Sequence, residues 1–403
     1  MATWISRRSQ ILEMQRELHE WTEKLNLRLL SLPRQITSNV TNVYEAHTHN
    51  TYIQSSTVSN YNKLQEYLTL TTDAKTRRSK AMLLDNPKEL VSKVRTMESI
   101  SSLPMQHNNQ GVILSCREVS ANVSPGTPAF ELLSLEMGEL AAALSCLDAA
   151  MDTRLLKIQA YFYDNEGQQF LFIHQLPPCR VDSMMTLQEL ITSDPFPKTE
   201  ATLSECIRIA YKIAEAVFFL HTAGFCHKNI TCRSVVILRR FDTENTKMGI
   251  PSTIDEPYLM GFDLIRGEDA KTYKEGTRAS KSGQKKMRGI WDFEVFQHPD
   301  RLQEDRVPRY SKTYDVYSLG VVLFNIGFWQ PLPKVARRID TSNPSSWAQE
   351  LSSVSVGMRP RVGDRYQRMV QWCLNLTGDE AVKSSEFIQE ILDPLEEMMS
   401  AMA

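Results

Sequence analysis

The sequence contains no apolar run long enough to cross a membrane, no Cys-x-x-Cys pair and no excess of either charge. Its most apolar stretch, Tyr314–Trp329, is interrupted by Ser318 and Asn325, whereas a membrane span needs about 18 apolar residues. The net charge of −2 creates no field that favours nucleic acid. The 7 cysteines lack metal-binding spacing and are expected to be reduced thiols. The first residues lack the apolar core of a secretory signal, so we expect a cytoplasmic protein without a nucleic-acid partner.

The composition is that of a globular protein, with 42% hydrophobic and 23% charged residues. Residues 314–329, YDVYSLGVVLFNIGFW, are apolar on every side of a helix, which predicts a helix buried inside a large protein. Gly320 lowers the helix propensity at its centre and predicts the close approach of another backbone. Asp315, near its start, can accept hydrogen bonds from free backbone N–H groups.

The motif DVYSLGVVL resembles the central helix of the protein kinases, which reads D-x-W-S-x-G-x-x-L. The likeness extends over residues 110–399 and is strongest over residues 203–374, where LSECIRIAYKIAEAVFFLH resembles the helix before the catalytic loop. It implies an α+β, bilobal protein-kinase-like fold with a mainly helical C-lobe and an N-terminal helical extension. In that family the opening aspartate bonds the backbone of the catalytic loop, and the resemblance transfers this structural role to Asp315.

The chain is predicted to divide into four segments. We expect an amphipathic helix over residues 1–36, a linker with short helices over 37–109, the N-lobe over 110–178 and the C-lobe over 179–399. The short helices of the second segment are expected from Tyr61 and from Asn86 onward.

The first segment carries leucines and a tryptophan at spacings of three and four residues, with charged residues between them. This pattern favours a helix packed on its own chain, and a helix that binds a partner or a membrane surface is the alternative. The segment also resembles a helix upstream of many fungal kinase-like domains, where it belongs to or follows a HeLo-type helical bundle. The chain is thereby similar to fungal proteins of that type.

The predicted N-lobe has the order of elements found in the kinase family. Val112–Val119 is expected to be a strand, Met137–Ala150 a helix, and Leu155–Tyr163 and Gln169–Gln175 the two strands of a hairpin. The glycine-rich G-x-G-x-x-G loop of the family is missing before the first of these strands.

The lysine of the family's V-A-I-K strand is also missing, since GVILSCREV places Cys116 or Arg117 at its position. Arg117 could pair with Glu136 or Glu139 of the following helix, as the family's lysine pairs with a glutamate. Arg117 and Glu139 are therefore the expected nucleotide-binding pair.

Phosphoryl transfer needs a carboxylate that accepts the substrate's proton and oxygen ligands for Mg²⁺. The family supplies these groups in the motifs H-R-D-x-x-x-x-N and D-F-G. The matching loop here begins with His227, Lys228 and Asn229 and ends at Ser234. His227 and Lys228 keep the imidazole and the positive charge. Asn229 stands at the position of the catalytic base, and an amide is no useful base near neutral pH. Ser234 stands at the position of the metal-binding asparagine.

The D-F-G position is degenerate as well. The alignment of YLMGFD places Gly261, Phe262 and Asp263 over Asp-Phe-Gly. Gly261 offers no metal ligand, Phe262 keeps the packing ring, and Asp263 lies two residues late. A slipped register that returns Asp263 to the metal is the alternative. Asp300, in the sequence HPD, takes the place of the acid of A-P-E, although the arginine that pairs with this acid in the family is missing.

Residues 269–296 occupy the position of the activation segment and are rich in lysine and arginine, with serines and threonines between them. The pattern favours a solvated loop. A patch that recognises phosphate, or a switch that is phosphorylated, is the alternative.

The loss of chemistry at several positions predicts a pseudokinase, a signalling or scaffold module with a protein partner. The resemblance implies a role like that of fungal proteins in cell-death or incompatibility signalling. No bound cofactor is expected, and binding of ATP and Mg²⁺ is left as the alternative. One alternative is an active atypical ATP-dependent Ser/Thr protein kinase that uses Ser234 and Asp263 on the metal. The other is a membrane-active effector that acts through the N-terminal helix.

Overall fold

The computed structural model describes most of the chain between residues 56 and 402 and a few positions before them. The described residues are 14, 27–28, 30, 56–85, 87–96, 105–107, 110–119, 123–147, 153–177, 181–192, 201–242, 252–261, 266–267, 291, 293–302, 308–340, 342–378 and 381–402.

Helices dominate the second half of the chain, and strands are short. The helices are α1 (Ser56–Thr69), α2 (Thr72–Ala81), α3 (Lys88–Thr96), α4 (Pro128–Ser145), α5 (Leu187–Thr192), α6 (Leu203–Thr222), α7 (Pro299–Leu302), α8 (Lys312–Phe328), α9 (Leu332–Val335), α10 (Trp347–Val354), α11 (Arg359–Leu374), α12 (Ser384–Phe387) and α13 (Asp393–Met402). The shorter 3₁₀ and π turns are Glu294–Phe296, Pro344–Ser346, Ser355–Met358 and Ile388–Leu392. The strands are β1 (Met105–His107), β2 (Gln110–Glu118), β3 (Ile158–Asp164), β4 (Gln169–Gln175), β5 (Ser183–Thr186), β6 (Phe225–Cys226), β7 (Val235–Asp242), β8 (Ser252–Leu259) and β9 (Arg266–Gly267).

The first sheet has four antiparallel strands in the order β1-β2-β4-β3. The hairpin expected from the sequence is confirmed as β3 and β4, and the expected strand before it as β2. Tyr161 and Phe172 place one face of the sheet in the main core, on the side of α4. Leu90 of α3 closes the opposite face, where it clusters with Val112 and Leu114. Both faces are therefore covered.

The linker predicted over residues 37–109 is packed structure over its described part. Helix α1 contributes Tyr61, Leu64 and Tyr67 to the main core, and β1 pairs with β2 in the first sheet. The two short helices expected here are α1 and α3. Helix α2 was not expected, because it is strongly charged and Ser79 is its one buried residue.

Helix α4 begins at Pro128 rather than at Met137, and it ends at Ser145 rather than at residue 150. Thr127 caps its start, where the side-chain oxygen accepts a hydrogen bond from the Phe130 N–H at 3.2 Å. Threonine at the cap and proline at the first helical position are a recognisable start signal. The prediction overlooked it because the alanine-rich part of the helix comes later.

The second sheet joins β5, β7 and β8 in that order, and β7 and β8 form an antiparallel hairpin. It is fastened to the segment before β3 by the Leu259 N–H, which donates to the Arg154 carbonyl at 2.9 Å. The Arg154 side chain forms a mostly buried ion pair with Glu256, with Nη1 and Oε2 2.5 Å apart. These contacts hold the first and second sheets side by side.

Helix α8 is buried along nearly its whole length, from Thr313 to Gly327, as its apolar sequence predicts. Gly320 faces helix α11, and a Cβ added to it would lie 2.5 Å from Cys373 Cβ. The Tyr366 hydroxyl of α11 donates to the Leu323 carbonyl at 2.9 Å. The close backbone approach expected at Gly320 is thus confirmed.

Helix α6 packs on both α8 and α13. Its start has a capping box, in which Thr202 accepts from the Glu205 N–H and the Glu205 carboxylate accepts from the Thr202 N–H. The helix predicted over Leu203–His221 is confirmed within one residue.

The chain is therefore a mixed α+β structure with small antiparallel sheets and a predominance of helix. Within the described residues, no helix has the length and apolar character that crossing a membrane requires. Of the helix predicted over residues 1–36, Leu27 and Arg28 are helical, and Leu27 and Leu30 are buried in the main core. Its other leucines and Trp21 lie outside the described residues.

Candidate functional site

The carboxylate of Asp315 is the centre of a buried polar site between α8 and the loop after β6. It accepts hydrogen bonds from the backbone N–H groups of His227 at 2.6 Å and Lys228 at 2.8 Å. The Tyr310 hydroxyl donates to it at 2.8 Å, and His221 Nε2 lies 3.1 Å from it. Asp315 thus ties helix α8 to the loop that the sequence resemblance identifies as catalytic.

Asp315 is fully buried, and burial alone acts to raise the pKa of a carboxyl group. The hydrogen bond from His221, the electrostatic attraction of its ring and the hydrogen bond from the Lys228 N–H together outweigh that effect, so the pKa of Asp315 lies below its ordinary value. The carboxylate is therefore ionised at neutral pH. Burial, together with the neighbouring charge of Asp315, raises the pKa of Tyr310 well above its ordinary value, so Tyr310 remains a donor.

His227 is fully buried, and its two ring nitrogens have different partners. Nε2 lies 3.0 Å from the Met260 carbonyl, which can only accept, so Nε2 carries the proton. Nδ1 accepts from the Asn229 N–H at 3.3 Å. Lys228 adopts a φ of 65°, and its ammonium lies 5.3 Å from the centre of the Tyr310 ring. These contacts give His227 and Lys228 structural roles.

Asn229 and Ser234 both turn their polar atoms toward neighbouring backbone. Asn229 Nδ2 donates to the Gly261 carbonyl at 3.2 Å. The Ser234 hydroxyl donates to the Thr231 carbonyl at 2.9 Å and accepts from the Thr231 N–H at 2.8 Å. The amide therefore ties the loop to the segment after β8, and the hydroxyl closes the loop upon itself.

Gly261 lies where the backbone passes directly over this loop. Its φ of +77° is in the left-handed region, and an added Cβ would lie 2.9 Å from Ser234 Cβ and 3.3 Å from Asn229 Nδ2. A residue with a side chain would be strained there and would also collide with Ser234. The site has no room for an aspartate at this position in the present arrangement of the loop.

Two of the predicted site residues, Phe262 and Asp263, lie outside the described residues, and so does most of the basic segment 269–296. The slipped-register alternative for Asp263 therefore remains a prediction.

The predicted nucleotide-binding residues lie on the first sheet and on α4. Arg117 Nη1 is 3.7 Å from Met137 Sδ, on the helix that also carries Glu139. Burial raises the pKa of Glu139, and the charge of Lys75 from α2 opposes this effect. Cys116, the other residue considered for the lysine position, packs on the opposite face of the sheet, in the cluster that contains Leu90.

Ser115 and His174 form a polar pair that the sequence did not reveal. Ser115 Oγ and His174 Nε2 are 2.8 Å apart, on adjacent strands β2 and β4, and His174 is fully buried. Burial lowers the pKa of His174 to about 4, so its imidazole is neutral at pH 7. The pair depends on the register of the two strands, which a single sequence does not fix.

Asp300 lies at the start of α7, next to the segment that follows α11. The Asp300 N–H donates to His298 Nδ1 at 3.2 Å, and His298 Nε2 contacts the Leu376 carbonyl at 2.9 Å. Gly378 packs against Asp300 so closely that an added Cβ would lie 2.4 Å from Oδ2. His298 therefore links these two segments.

An apolar cluster lies at the junction between the first and second sheets. It joins side chains of β2, β5, β7 and β8 with those of neighbouring segments: Ile113, Leu156, Met184, Leu238, Tyr258 and Met260, with Leu176, Val181 and Val236 packed against them. Leu176 approaches the backbone of β2 so closely that a Cβ on Gly111 would lie 2.6 Å from Leu176 Cδ1. The cluster continues to Met260, directly above the polar site.

Among the described residues, His, Cys, Asp and Glu side chains form no group of three or more that could hold a metal ion. The chain matches no protein-family model, and no curated protein matches it significantly.

Proposed function

We propose that the chain has a bilobal protein-kinase-like fold and acts as a catalytically defective signalling or scaffold module in the cytoplasm. The first sheet with α4 corresponds to the N-lobe, and the helices around α8 correspond to the C-lobe. The contacts of Asp315 with the backbone of the loop support this correspondence.

The observation that carries the proposal is the closed packing of Asn229, Ser234 and Gly261. Phosphoryl transfer in this fold needs a carboxylate base at the first position and oxygen ligands for Mg²⁺ at the other two. Here the amide binds the Gly261 carbonyl, the hydroxyl binds the Thr231 backbone, and a Cβ at Gly261 would collide with Ser234. The three positions stabilise the loop, and none of them carries a carboxylate that could act as the base or bind the metal.

The apolar cluster between the sheets supports a role that does not depend on nucleotide. In a protein-kinase-like fold, the nucleotide base lies between the two lobes. Ile113 and Met184 belong to this cluster, and Leu176 and Val236 pack against it. The chain's own side chains thus supply the apolar contacts that a base would make, so the proposed module needs neither ATP nor Mg²⁺.

An atypical kinase that uses Ser234 and Asp263 is the competing function. A phosphotransfer assay with Mg²⁺ and labelled ATP, on wild type and on Asp263→Ala, separates the two. We expect equal signals at background level, because the Ser234 hydroxyl is already bound to Thr231. Transfer by wild type that Asp263→Ala abolishes would establish the enzyme and overturn the proposal.

The proposed partner is another protein. A part in fungal cell-death or incompatibility signalling rests on the sequence resemblance alone, as does a phosphorylation switch in residues 269–296. The membrane-active alternative needs a free apolar face on the N-terminal helix. The burial of Leu27 and Leu30 in the core of the same chain argues against it.

A further inference from the structure

Two hydroxyl residues of the chain are directly followed by proline, and both lie in the turn before helix α4. Of the 18 prolines, only Pro125 follows a serine and only Pro128 follows a threonine. The turn runs from Ser124 to Thr127, and the Thr127 N–H donates to the Ser124 carbonyl at 3.1 Å. Gly126, at its third position, has a φ of +86°, which glycine adopts without strain. One turn thus presents both Ser/Thr-Pro dipeptides of the sequence.

The two hydroxyl groups of this turn differ in their contacts. The Thr127 hydroxyl donates to the Ser124 carbonyl at 2.8 Å and accepts from the Phe130 N–H at 3.2 Å. It caps α4, so a phosphate on its oxygen would remove the cap. Ser124 is exposed, and among the described residues its hydroxyl has no hydrogen-bond partner. Ser124 is therefore free to react, whereas the fold holds Thr127.

The residues after Ser124 leave its hydroxyl open to an enzyme. Pro125 and Gly126 are exposed as well, and a Cβ built on Gly126 would meet nothing within 4 Å. Proline has no N–H and a fixed φ, and proline-directed protein kinases select this residue directly after the acceptor hydroxyl. Such an enzyme can reach Ser124 without unfolding α4.

A phosphate on Ser124 would lie just before the first turn of α4. The Ala129 N–H has no partner among the described residues, and the positive end of this 18-residue helix favours a negative charge. Glu131 of the same turn opposes that charge, but its side chain is exposed, so solvent screens the repulsion. The phosphate therefore stabilises the start of the helix.

We propose that Ser124, and not Thr127, is a phosphorylation site for a proline-directed protein kinase, and that its phosphate stabilises the start of α4. The Ser124 oxygen attacks the γ-phosphorus of ATP, and the new P–O bond replaces the bond to the ADP oxygen. The hydroxyl proton passes to the base of that kinase. The product carries about −1.5 to −2 charges at neutral pH. This inference does not depend on the kinase-like function of the chain itself.

The test incubates the full-length protein with ATP and Mg²⁺ and, in separate reactions, with a cyclin-dependent and a mitogen-activated protein kinase, both of which are proline-directed. Mass spectrometry of the digested protein locates the phosphate. We expect a phosphate on Ser124 and none on Thr127. Pro125→Ala should lose this phosphate. Pro128→Ala is the matched control, because it removes the proline after Thr127, and it should retain the Ser124 phosphate.

Hydrogen exchange tests the effect on α4. The Phe130 amide should exchange about two- to fivefold more slowly in the phosphorylated protein than in the unmodified protein. In Ser124→Ala, treatment with the kinase should leave its exchange rate unchanged.

Four results would overturn the proposal. Phosphate on Thr127 instead of Ser124 would show that the cap does not protect its hydroxyl. Absence of phosphate from both residues with either kinase would show that the turn is not a substrate. Equal labelling of wild type and Pro125→Ala would show that proline does not direct the reaction. Unchanged exchange of Phe130 after phosphorylation would show that the phosphate does not act on the helix.

Discussion

Asp315 is fully buried and ionised because two backbone N–H groups, the Tyr310 hydroxyl and the His221 ring converge on its two oxygens. A buried charge without such donors would cost several kcal/mol. At the scale of single residues, three polar side chains of the loop bind backbone carbonyls: His227 that of Met260, Asn229 that of Gly261, and Ser234 that of Thr231. Residues that serve the fold in this way are not free for chemistry.

The buried histidine of the first sheet predicts a loss of stability in mild acid. His174 has a pKa of about 4 in the folded chain, below the ordinary value of about 6.5. Below about pH 6.5 the unfolded state therefore binds a proton at His174 that the folded state does not bind. The free energy of unfolding decreases as the pH is lowered from about 6.5 to about 4. Wild type should lose about 2 kcal/mol more between pH 7 and pH 5 than His174→Gln does.

Urea unfolding at the two pH values measures this difference. Ser115→Ala is the matched control, because it removes the partner of His174 but keeps the titrating ring. It should retain the pH dependence of wild type. Equal pH dependence in wild type and His174→Gln would show that His174 does not resist protonation in the folded chain.

A second prediction concerns the backbone over the closed loop. Gly261→Ala should destabilise the protein by about 2–4 kcal/mol, because it adds both left-handed strain and the collision with Ser234. Gly126→Ala is the control, since Gly126 has a φ of +86° and nothing within 4 Å of an added Cβ. It should cost only about 1 kcal/mol of strain. Equal costs in thermal unfolding would contradict the close packing on Ser234.

At the scale of elements, the crossing of α8 and α11 organises the helical part. Gly320 lets the two helices meet without an intervening side chain, and Tyr366 fastens α11 to the Leu323 carbonyl. The apolar sequence of α8 and the glycine at its centre made both the burial and the close approach predictable. The start of α4 was also readable, from Thr127 and Pro128. Helix α2 was not, because tertiary packing rather than an apolar stripe holds it.

Replacing the glycine at this crossing should separate the helices. Gly320→Ala is expected to cost more than about 2 kcal/mol, because its Cβ would lie far inside contact distance of Cys373 Cβ. Gly357→Ala, whose Cβ would meet the Phe328 ring at an ordinary 3.4 Å, should cost less than about 1 kcal/mol.

A double-mutant cycle identifies the cause. Removing the opposing Cβ with Cys373→Gly should recover part of the stability lost in Gly320→Ala, measured by urea unfolding. Strict additivity of the two substitutions would mean that the loss at Gly320 arises elsewhere than at this crossing.

At the scale of the whole molecule, segments distant in sequence meet at places that only the folded chain reveals. Helix α3 covers the outer face of the first sheet through Leu90, and Arg28 reaches Asp393 and Glu396 on the last helix. The α+β class was implied by the family resemblance, and the main helices followed from periodicity. Two short helices were expected between residues 37 and 109, whereas α2 and β1 were not, because a charged helix with few apolar positions and a three-residue strand resemble loops in sequence. The motif singled out Asn229, Ser234 and Gly261 in the sequence. It did not predict that Gly261 packs directly against the side chains of the other two.

The most direct measurement is thermal unfolding of the wild-type protein with and without ATP, once in Mg²⁺ and once in EDTA. A ligand at a hundred times its Kd stabilises a protein by about 2.7 kcal/mol, which shifts Tm by a few degrees. Because Asn229, Ser234 and Gly261 carry no carboxylate and apolar side chains pack together at the junction between the sheets, we predict the same Tm in all four conditions. A rise in Tm that requires Mg²⁺ would mean that a metal-bound nucleotide enters the site, and it would contradict the proposed nucleotide-independent module.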